Sequence, residues 1–414
     1  MTAERKYQGL ASVSLREMKE YAKLDPEGLV YTINEGLSRK DNRPEDFSIA
    51  HLAESLIPAF NELKQDYRSG QGFGSSALQL FQQSGHLLEA GPVKASQFLA
   101  ISGQIVYSKV LEYYEAEEFT FTKEIPEWPS PFQNTTEKVA GISKLGNDIG
   151  VVAEGDEYPT AGPVEDYIEL PAASKRGERV QLTWEAVFND RTGDLLKRSA
   201  DVGYVHGYAK ETRAIDSIVD ENTGAKSILT GGHRYHWRGT SYATYQATSP
   251  WDNVTATNAL VDWTNIQNAE LTLSRIVDPN TGLTILIQPD TVIVTKQLEY
   301  TARYVIQATS LAVNAGGYNA STTVTRHELA NFLPKYRILT SRLLETRMAT
   351  DTSWLLGNLK KLVANKMCRP MKVDSAPDTH PDNFDREIIN QWKVSEVSNF
   401  VVVDPRMMTE STVA

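Results

Sequence analysis

The sequence contains very little cysteine and no long hydrophobic run. Its single thiol, Cys368, excludes an internal disulfide and any site built from several thiolates. No stretch reaches the roughly 18–20 consecutive apolar residues that a membrane-spanning helix needs. The start, MTAERKYQGLASVSLREMKEY, is polar and lacks the apolar centre of a signal peptide. We therefore expect a protein that is made and kept in a cytoplasm, with no membrane partner.

The sequence also lacks an excess of basic residues. Lys and Arg number 42 against 53 Asp and Glu, which gives a formal net charge of −11 at pH 7. A dedicated nucleic-acid binder clusters Lys and Arg to neutralise phosphates, so this class is disfavoured. The negative net charge is still compatible with a protein that encloses DNA without binding it tightly, because an acidic or neutral surface does not attract phosphates.

Catalytic and metal-binding motifs are equally scarce. The sequence has no GxSxG and no HExxH, and AGGYN at 315–319 lacks the following Lys-Ser/Thr of a phosphate loop. His233 and His236 have a spacing compatible with two metal ligands, but no third ligand is evident. Cys368 lies in NKMCRPMKV, where we expect the end of a strand. We predict no catalytic residue, no metal site and no cofactor.

The patterns that are present mix helices with strands, which predicts an α+β protein. With 414 residues, 41% of them hydrophobic, the chain is long enough for two or three domains with a buried core. Segments 14–24 and 49–67 carry apolar residues at helical spacing, and RSGQGFGSS at 68–76 is typical of a loop or linker. This region predicts a helical arm with flexible joints, or alternatively a small independent helical domain.

The next segments predict two helices with a strand between them. Residues 97–116 have a strongly amphipathic helical pattern, and EFTFTKEI at 118–125 alternates as a strand does. The longest helical pattern runs over 190–221, where Asp190 or Thr192 is placed to cap the first turn.

Two features of the 190–221 pattern predict how this helix packs. Gly203 and Gly207 lie four residues apart and predict a narrow face against which another element packs closely. Residues 222–224, Asn-Thr-Gly, predict its C-terminal end. The predicted buried face consists of the residues at the helical period, which are Val205, Tyr208, Thr212, Ile215 and Val219.

Residues 153–188 predict a long two-stranded arm that leads into this helix. Its acidic start, with Glu154, Asp156 and Glu157, lacks the ligand spacing of a calcium loop and predicts a solvated turn. The predicted outgoing strand contains Tyr167, Ile168 and Leu170, and the return strand contains Arg179, Val180, Leu182 and Trp184. PAASKRGER forms the polar, basic tip. An isolated hairpin is marginal in water, so we expect the arm to lie against a neighbouring subunit.

The remaining segments predict further helices and strands. Residues 225–258 predict an irregular loop region, and 261–278 predict a helix ended by the turn DPNTG. LTILIQPDTVIVTKQLEYTARYVIQA predicts two buried strands and a helix. Further strands are predicted within 336–344, 353–366 and 396–403, and the segment 383–406 predicts a helix or turn followed by closing strands.

The order of these parts resembles the HK97-type major capsid proteins of tailed double-stranded DNA bacteriophages. EGDEYP opens the arm, and TWEAVFNDRTGDLLKRSADVGYVHGYAKETRAIDSIV looks like the family's spine helix. NAELTLSRIVDPNTGLTILIQPDTVIVTKQLEYTARYVI is similar to its axial-domain segment. WLLGNLKKLVANK and FDREIINQWKVSEVSNFVVVDPR resemble its closing peripheral-domain strands. The resemblance covers about residues 95–410 and rests on order and spacing rather than on one specific motif.

The resemblance implies an HK97-like α+β fold with six segments. These are an N-terminal helical arm or scaffold-like segment (1–95), an N-terminal part of the core (96–152), the extended β-hairpin arm, or E-loop (153–188), the spine helix of the peripheral domain (189–224), the axial domain with peripheral-domain strands (225–380) and the closing strands (381–414).

The resemblance also implies a structural, non-catalytic function. Copies would form the hexamers and pentamers of an icosahedral phage head that encloses double-stranded DNA without sequence-specific binding. The protein would be assembled in the host cytoplasm and found in the virion, with portal, scaffold and decoration proteins as further partners. The implied contacts between subunits are Glu154, Asp156, Tyr158, Lys175, Arg176, Arg179, Trp184 and Phe188.

The sequence is also compatible with two other classes of protein. An encapsulin-like nanocompartment shell would share the fold and enclose a protein cargo, although such subunits are usually shorter and lack so long an N-terminal arm. An undetected hydrolase would be a small soluble oligomer with a pocket. Covalent cross-linking through Lys175 would need an Asn and a Glu that no motif in the sequence identifies.

Overall fold

The computed structural model describes most of the chain after residue 94. The described residues are part of 31–65, then 95–131, 135–142, 151–158, 166–189, 191–222, 227, 229, 232–306, 310–314, 324–328, 336–376 and 388–413. The chain divides into two compact units, each assembled from separated stretches. Unit 1 contains Met1–Glu117, Lys175–Tyr208 and Met371–Glu396, and unit 2 contains Glu118–Ser174, Ala209–Pro370 and Val397–Ala414.

The helices are α1 (Ile49–Leu56), α2 (Ala95–Tyr114), α3 (Phe121–Glu124), α4 (Trp184–Phe188), α5 (Thr192–Val219), α6 (Trp263–Arg275), α7 (Glu299–Ile306), α8 (Arg342–Arg347) and α9 (Leu359–Leu362). Short 3₁₀ turns cover Pro44–Asp46, Lys296–Leu298 and Pro405–Met407.

The strands are β1 (Glu127–Pro129), β2 (Glu137–Ala140), β3 (Tyr167–Leu170), β4 (Ser174–Thr183), β5 (Tyr235–Trp237), β6 (Thr240–Tyr242), β7 (Val254–Thr255), β8 (Thr291–Val294), β9 (Ser310–Asn314), β10 (Val324–Glu328), β11 (Arg337–Thr340), β12 (Trp354–Gly357), β13 (Val363–Ser375), β14 (Ile388–Val402) and β15 (Met408–Ser411). This mixture of helices and strands is the predicted α+β class.

Among the described strands, four sheets form. Their strand orders are β1-β13-β14-β4, β11-β8-β12-β15-β7, β2-β3-β5-β6 and β10-β9. β8 and β12 are buried along their whole length, as expected for strands in the middle of a covered sheet.

The core of unit 1 forms around α2, as the helical pattern at 97–116 predicts. Ile101, Ile105 and Val110 are each at most 1% exposed. They share one hydrophobic cluster with Val180 and Leu182 of β4 and with residues of α1 and α5. At the start of α5, the hydroxyl of Thr192 accepts a hydrogen bond from the backbone N–H of Ile49 in α1, at 2.9 Å. Thr192 is the first helical residue.

The close approach predicted at Gly203 is confirmed. A Cβ atom built on Gly203 would lie 2.3 Å from the backbone oxygen of Val110 in α2, closer than real Cβ atoms come to any neighbour. Only glycine therefore allows these two helices to approach so closely. The predicted buried face of α5 is wrong in its first half, because Val205 and Tyr208 are 55% and 45% exposed. The buried face there contains Val202, Gly203 and Gly207 instead.

The core of unit 2 contains two hydrophobic clusters. One joins the C-terminal half of α5 to the aromatic residues of β5 and to Trp251. The other packs α6 and α7 against the interior of the five-stranded sheet. α6 begins with a capping box, in which Asp262 accepts from the backbone N–H of Thr264 and Asn265 accepts from that of Asp262. The helix and the turn predicted over 261–278 are confirmed.

The predicted pairing of the two arm strands is wrong. β3 pairs with β2 and β5, whereas β4 belongs to the sheet that contains β13 and β14. The reason is tertiary, since each strand has an apolar face that another sheet buries better than a lone hairpin does. In this part of the chain the hairpin is formed by β2 and β3, and residues 141–166 connect its strands.

Two further predictions are corrected. Within the alternating segment 118–125, Phe121–Glu124 forms the helical turn α3, because the carboxylate of Glu211 accepts from the N–H groups of Phe121 and Thr122 at 2.8 and 2.9 Å. These are the free donors of a helix start. The predicted loop 225–258 contains the hairpin of β5 and β6, whose turn has Arg238 and Gly239 in the left-handed region (φ 49° and 77°).

The end of α5 also differs from the prediction. The helix ends at Val219, and Asp220 follows in the left-handed region with φ 46°. The side chain of Asp220 accepts from the backbone N–H groups of Arg234 and Thr244, which fixes the chain reversal. Of the two buried strands predicted in 283–308, one forms, as β8, and the predicted helix forms as α7.

The strands predicted in 336–344, 353–366 and 396–403 are present as β11, β12, β13 and β14, with α8 and α9 between them. The helix predicted over 14–24 and the linker at 68–76 lie outside the described residues. The helix predicted over 49–67 is described from Ile49 to Leu56. The six-segment domain division stays a prediction.

One partly buried carboxyl in unit 2 has an unusual protonation equilibrium. Glu410 lies on β15, opposite Val254 of the neighbouring strand β7. Its backbone N–H donates to the backbone oxygen of Asn253 at 3.0 Å. Burial raises the pKa of Glu410 to about 7, and the negative charge of Glu221 adds to the shift. The folded protein therefore favours the neutral carboxyl at pH values where the unfolded chain has already lost the proton.

We predict that Gly203→Ala destabilises unit 1 through the backbone of Val110. The added methyl improves helix propensity by about 1 kcal/mol, but the clash costs roughly 1–3 kcal/mol or more, so the thermal midpoint should fall. Gly193→Ala in the same helix is the matched control, because a Cβ there meets nothing within 4 Å. Thermal unfolding followed by circular dichroism measures both. Equal midpoints for the two variants would contradict the close packing.

We predict that Glu410→Gln stabilises the protein at pH 8 and has little effect at pH 5. Stability from the neutral carboxyl is fully present below the unfolded pKa of about 4.5 and is lost as the pH rises through 7. Gln keeps the neutral shape, so the gain in unfolding free energy at pH 8 should be roughly 1–3 kcal/mol. Urea unfolding at the two pH values tests this. Exposed Glu157→Gln is the control, and an equal gain at both pH values would refute the assignment to ionisation.

Candidate assembly surfaces

A cationic strand lies at one edge of a sheet in unit 1. β4 pairs with β14 and is the last strand in the order β1-β13-β14-β4. Its first half carries Lys175 and Arg179, both exposed, with Arg176 half-buried between them. The Nη1 of Arg179 donates to Oε1 of Gln391 on β14 at 3.4 Å. Charged residues on an edge strand discourage pairing with unrelated strands. The positive charge of this edge favours a negatively charged partner.

The second half of β4 holds the cationic half in place. Val180 and Leu182 are 2% and 1% exposed in the core of unit 1. A Cβ atom at Gly177 would lie 2.6 Å from the backbone oxygen of Val394, so glycine allows β4 to lie tightly against β14. The alternation of burial along β4 therefore places apolar side chains inward and leaves the cations outside.

Arg176 differs from its two cationic neighbours. Burial lowers the pKa of its guanidinium, and the nearby charge of Glu396 opposes this change. Glu396 itself is 2% exposed and accepts a hydrogen bond from the hydroxyl of Tyr114 at 2.7 Å. Arg176 thus faces a carboxylate of its own chain, while Lys175 and Arg179 present their charge outward.

An exposed acidic loop lies within the connection between β2 and β3. This acidic loop, residues 151–158, includes the predicted contacts Glu154, Asp156 and Tyr158, all exposed. Gly155 adopts φ 94°, and the N–H of Asp156 donates to the oxygen of Ala153 at 3.1 Å, which makes a tight turn. Tyr158 is 85% exposed, and Val151 is fully exposed. The loop therefore displays three carboxylates and two apolar side chains to solvent.

The base of the β2–β3 connection is tied to a buried arginine. Arg406 donates through Nη2 to the backbone oxygen of Ile142, and its Nε lies 2.8 Å from Oδ1 of Asp404. Its Nη1 lies 3.4 Å from Oδ2 of Asp278. Burial alone would lower the pKa of Arg406, but the hydrogen bond to Asp404 and the two negative charges outweigh it and raise the pKa. The guanidinium stays charged in a buried position.

Asp166 fixes the other end of the β2–β3 connection. Its backbone oxygen accepts from the N–H of Gly141 at 3.0 Å, and its carboxylate accepts from the indole N–H of Trp237 and from Arg238. The first and last residues of the 141–166 connection are thereby fixed within unit 2.

The two aromatic residues predicted as contacts lie in α4. Thr183 caps this helix by accepting from the backbone N–H of Ala186 at 3.3 Å. Phe188 is 2% exposed in the core of unit 1. A side chain buried in its own core does not reach a neighbouring copy, so Phe188 anchors the end of β4 and we remove it from the contact set. Trp184 begins the helix, and its side chain lies outside the described residues.

Sequence reasoning missed an exposed apolar face on unit 2. Tyr300 and Tyr304 lie four residues apart on α7 and are 81% and 78% exposed. Glu299, the first residue of the same helix, forms ion pairs with Lys296 and Arg303. The spacing of the two tyrosines beside polar residues was the signal that could have identified this face.

A model of a family described as "Phage capsid protein" matches residues 167–411, which is well over half of the 414 residues. The chain belongs to this phage capsid protein family. The predicted family is thereby confirmed, and so is a structural role in a capsid. No curated protein matches the sequence.

Solved capsid structures are similar to this capsid protein only at a distance. One from Gordonia phage Cozz has 11% identity and a TM-score of 0.39, and it covers 71% of this chain and 86% of its own. The capsid of a native GTA particle has 13% identity and a TM-score of 0.42, with coverages of 72% and 91%. A virus-like particle from Pyrococcus furiosus has 9% identity and a TM-score of 0.40, with coverages of 74% and 98%. These values are too low to transfer the role of any residue.

The residues that suggested chemistry have structural partners in the capsid protein. His233 faces Asp220, with 3.8 Å between Nδ1 and Oδ1, and this contact raises the pKa of the histidine. His236 shares a hydrogen bond with Ser241 at 3.0 Å. Burial raises the pKa of the Cys368 thiol, which lowers its thiolate fraction. Within the described residues, no group of three or more His, Cys, Asp or Glu side chains is arranged to hold a metal.

None of the described helices is long and apolar enough to cross a membrane.

We predict that Arg406→Met destabilises the capsid protein by roughly 3–5 kcal/mol, because Asp278 and Asp404 are left without their buried cation. Arg303→Met is the control, since its ion pair with Glu299 is half-exposed and should contribute at most about 1 kcal/mol. Urea unfolding compares the two variants. The double variant Arg406→Met/Asp404→Asn should recover part of the loss, and an unchanged midpoint for Arg406→Met would contradict the anchoring role.

Proposed function

We propose that this capsid protein is an HK97-like major capsid subunit that builds the hexamers and pentamers of an icosahedral phage head around double-stranded DNA. The family match over residues 167–411 is the observation that carries the proposal. The net charge of −11 supports a wall that encloses DNA without gripping the phosphates. Portal, scaffold and decoration proteins are its further partners, assembly takes place in the host cytoplasm, and the subunit performs no catalysis.

The cationic half of β4 is the first surface that joins copies. Because the chain as a whole is acidic, the surface of a neighbouring copy is on average negative. Lys175 and Arg179 project from an edge strand whose backbone is held by Gly177 and by the buried Val180. Complementary charge directs the encounter of two copies and fixes their register more than it adds affinity. Lys175 and Arg179 therefore select the acidic face of the next subunit.

The exposed apolar face of unit 2 is the second surface. Tyr300 and Tyr304 lie within residues 225–380, the segment expected to form the axial domain and to meet its copies at the centre of each ring. Tyrosines with exposed rings supply large contact area at low entropic cost and keep a hydrogen-bonding hydroxyl. An interface around the ring axis buries such side chains in every copy.

The acidic loop is the third surface. Glu154, Asp156 and Tyr158 are exposed residues of the 141–166 connection, whose ends contain Ile142, bound by Arg406, and Asp166, bound by Arg238. Exposed side chains can contact a neighbour without disturbing the core of their own subunit. The loop takes the role that the extended arm was expected to have, on the hairpin of β2 and β3.

Negative-stain electron microscopy of the purified protein, alone and co-expressed with its scaffold and portal, tests the proposal. We expect closed icosahedral particles, and nuclease-protected double-stranded DNA inside particles from infected cells. A discrete monomer or dimer at every concentration, with no shell under any of these conditions, would overturn it. Particles that hold a protein cargo and no DNA would indicate an encapsulin-like shell instead.

We predict that Lys175→Glu/Arg179→Glu leaves a folded subunit and lowers the yield of particles at least ten-fold. The substitutions place negative charge against an acidic neighbour, and like charges across an interface are costly. Lys360→Glu/Lys361→Glu makes the same change in net charge at exposed positions on α9 and is the control. Sucrose-gradient sedimentation measures particle yield, and circular dichroism checks folding. Equal yields from the two variants would exclude β4 as a contact.

A further inference from the structure

Ionisable side chains from several segments of unit 2 surround the C-terminal end of α5. The helix ends at Val219, where the negative end of its dipole favours nearby cations and disfavours additional anions. Charged and titratable side chains reach this end from α5 and the turn after it, from the start of β5, from the segment after β6, from α8 and from β15. They are Asp216, Asp220, Glu221, His233, Arg234, Tyr245, Arg347 and Glu410.

Asp220 joins the helix end to the hairpin of β5 and β6. Its backbone lies in the left-handed region with φ 46°, and its side chain is buried. One carboxylate oxygen accepts from the N–H of Arg234 at 3.0 Å, and the other accepts from both the N–H and the hydroxyl of Thr244 at 2.7 Å. The chain reversal after α5 therefore depends on the position of this carboxylate.

His233 contributes a charge to this reversal rather than a hydrogen bond. Its Nδ1 lies 3.8 Å from Oδ1 of Asp220, which is too far for a hydrogen bond. The same nitrogen is buried and has no hydrogen-bond partner among the described residues. The attraction to Asp220 consequently exists only while the imidazole is protonated. Asp220 and the charge of Glu221 raise the pKa of His233 against the opposing effect of burial.

Glu410 approaches the same helix end from β15. Burial and the charge of Glu221 raise the pKa of Glu410 to about 7. The neighbouring Tyr245 donates through its hydroxyl to the backbone oxygen of Ile218 at 2.7 Å. Burial and the charges of Glu410 and Asp220 raise the pKa of this tyrosine. A negative charge on Glu410 therefore adds to that of Glu221 at the negative end of the helix.

The other charged groups at this end compensate one another. Asp216 lies 3.3 Å from Nε of Arg347 and 3.9 Å from Nη2 of Arg234. Burial raises the pKa of Asp216, and the two guanidinium groups oppose this change. Arginine keeps its charge throughout the neutral range. We therefore assign the response of this helix end near neutral pH to His233 and Glu410.

We propose that His233 and Glu410 form a pH-sensitive switch that holds the end of α5 to the β5–β6 hairpin while both are protonated. In that state the imidazolium attracts Asp220, and the neutral carboxyl of Glu410 does not repel Glu221. When both protons are lost, one positive charge disappears and one negative charge appears at the negative end of the helix. The reversal at Asp220 then opens more readily, as a local event within the folded subunit. The switch belongs to the single subunit and does not depend on the proposed function.

The two groups act in the same direction. The stabilisation from His233 is fully present below the unfolded pKa of 6.5 and is lost as the pH rises through the higher pKa of the folded state. The stabilisation from Glu410 is fully present below 4.5 and is lost as the pH rises through 7. The helix end is therefore held less firmly at pH 9 than at pH 6.

Hydrogen–deuterium exchange of the folded subunit, followed by mass spectrometry, tests the switch. Peptides covering residues 214–222 and 240–246 should lose protection between pH 6 and pH 9, after correction for the intrinsic effect of pH on exchange. We expect a loss of roughly ten-fold, the change that one pKa unit produces in an equilibrium. Peptides from β12 should keep their protection. His233→Gln/Glu410→Gln removes both titrating groups and should show equal protection at the two pH values.

His236→Gln is the matched control, because the Nδ1 of His236 shares a hydrogen bond with Ser241 of the same hairpin. This variant should keep the pH response of the wild type. Equal protection of the wild-type helix end at both pH values overturns the switch. A pH response that persists unchanged in the double variant also overturns it.

Glu221, the neighbour that both groups share, provides a second test. A negative neighbour favours the protonated state of each group, so Glu221→Gln should lower the pKa of His233 and move the loss of protection to lower pH. An NMR titration of the Cε1–H signals of the histidines measures the first effect. Glu157→Gln, in the exposed acidic loop, is the control and should change neither measurement. A wild-type His233 that titrates at or below 6.5, or a titration that Glu221→Gln does not move, overturns the inference.

Discussion

The buried guanidinium of Arg406 is the interaction on which the candidate assembly surface of unit 2 depends. It joins the carboxylates of Asp278 and Asp404 to the backbone of Ile142, at the base of the connection that carries the acidic loop. A buried cation is tolerated only with its partners in place, so these segments keep their positions relative to one another or the site becomes strongly unfavourable. Ile142 is thereby held in place at the first end of the 141–166 connection, and the acidic residues of the 151–158 loop are exposed.

The distribution of charge explains how copies of this chain can bind one another and still interact only weakly with the DNA that they enclose. The chain is acidic overall, yet the exposed Lys175 and Arg179 make the first half of β4 locally cationic. The exposed acidic residues of the 151–158 loop have the opposite charge. Attraction between copies and weak interaction with DNA are compatible, because the first depends on a few placed cations and the second on the net charge.

Helices with strong local signals were predicted well from the sequence. The amphipathic pattern of α2 and the small residues of α5 predicted a buried helix and a close crossing, and Gly203 lies against the backbone of Val110 as expected. Strand pairing was predicted poorly. β3 and β4 are adjacent in sequence and read as a hairpin, but each pairs with strands that are distant along the chain. Pairing depends on which apolar face finds the best cover, and that is not a local property.

The sequence by itself determined the class of protein, its acidic character, the long helix and the exposed residues of the acidic loop. These follow from composition, from helical periodicity and from the order of segments, all of which are local or additive along the chain. The tertiary structure alone decided that Phe121–Glu124 is a helical turn, that Phe188 is a core residue and that the indole N–H of Trp392 has no acceptor among the described residues. Each of these depends on atoms far away in sequence, such as the carboxylate of Glu211, and on which polar groups folding leaves without a partner.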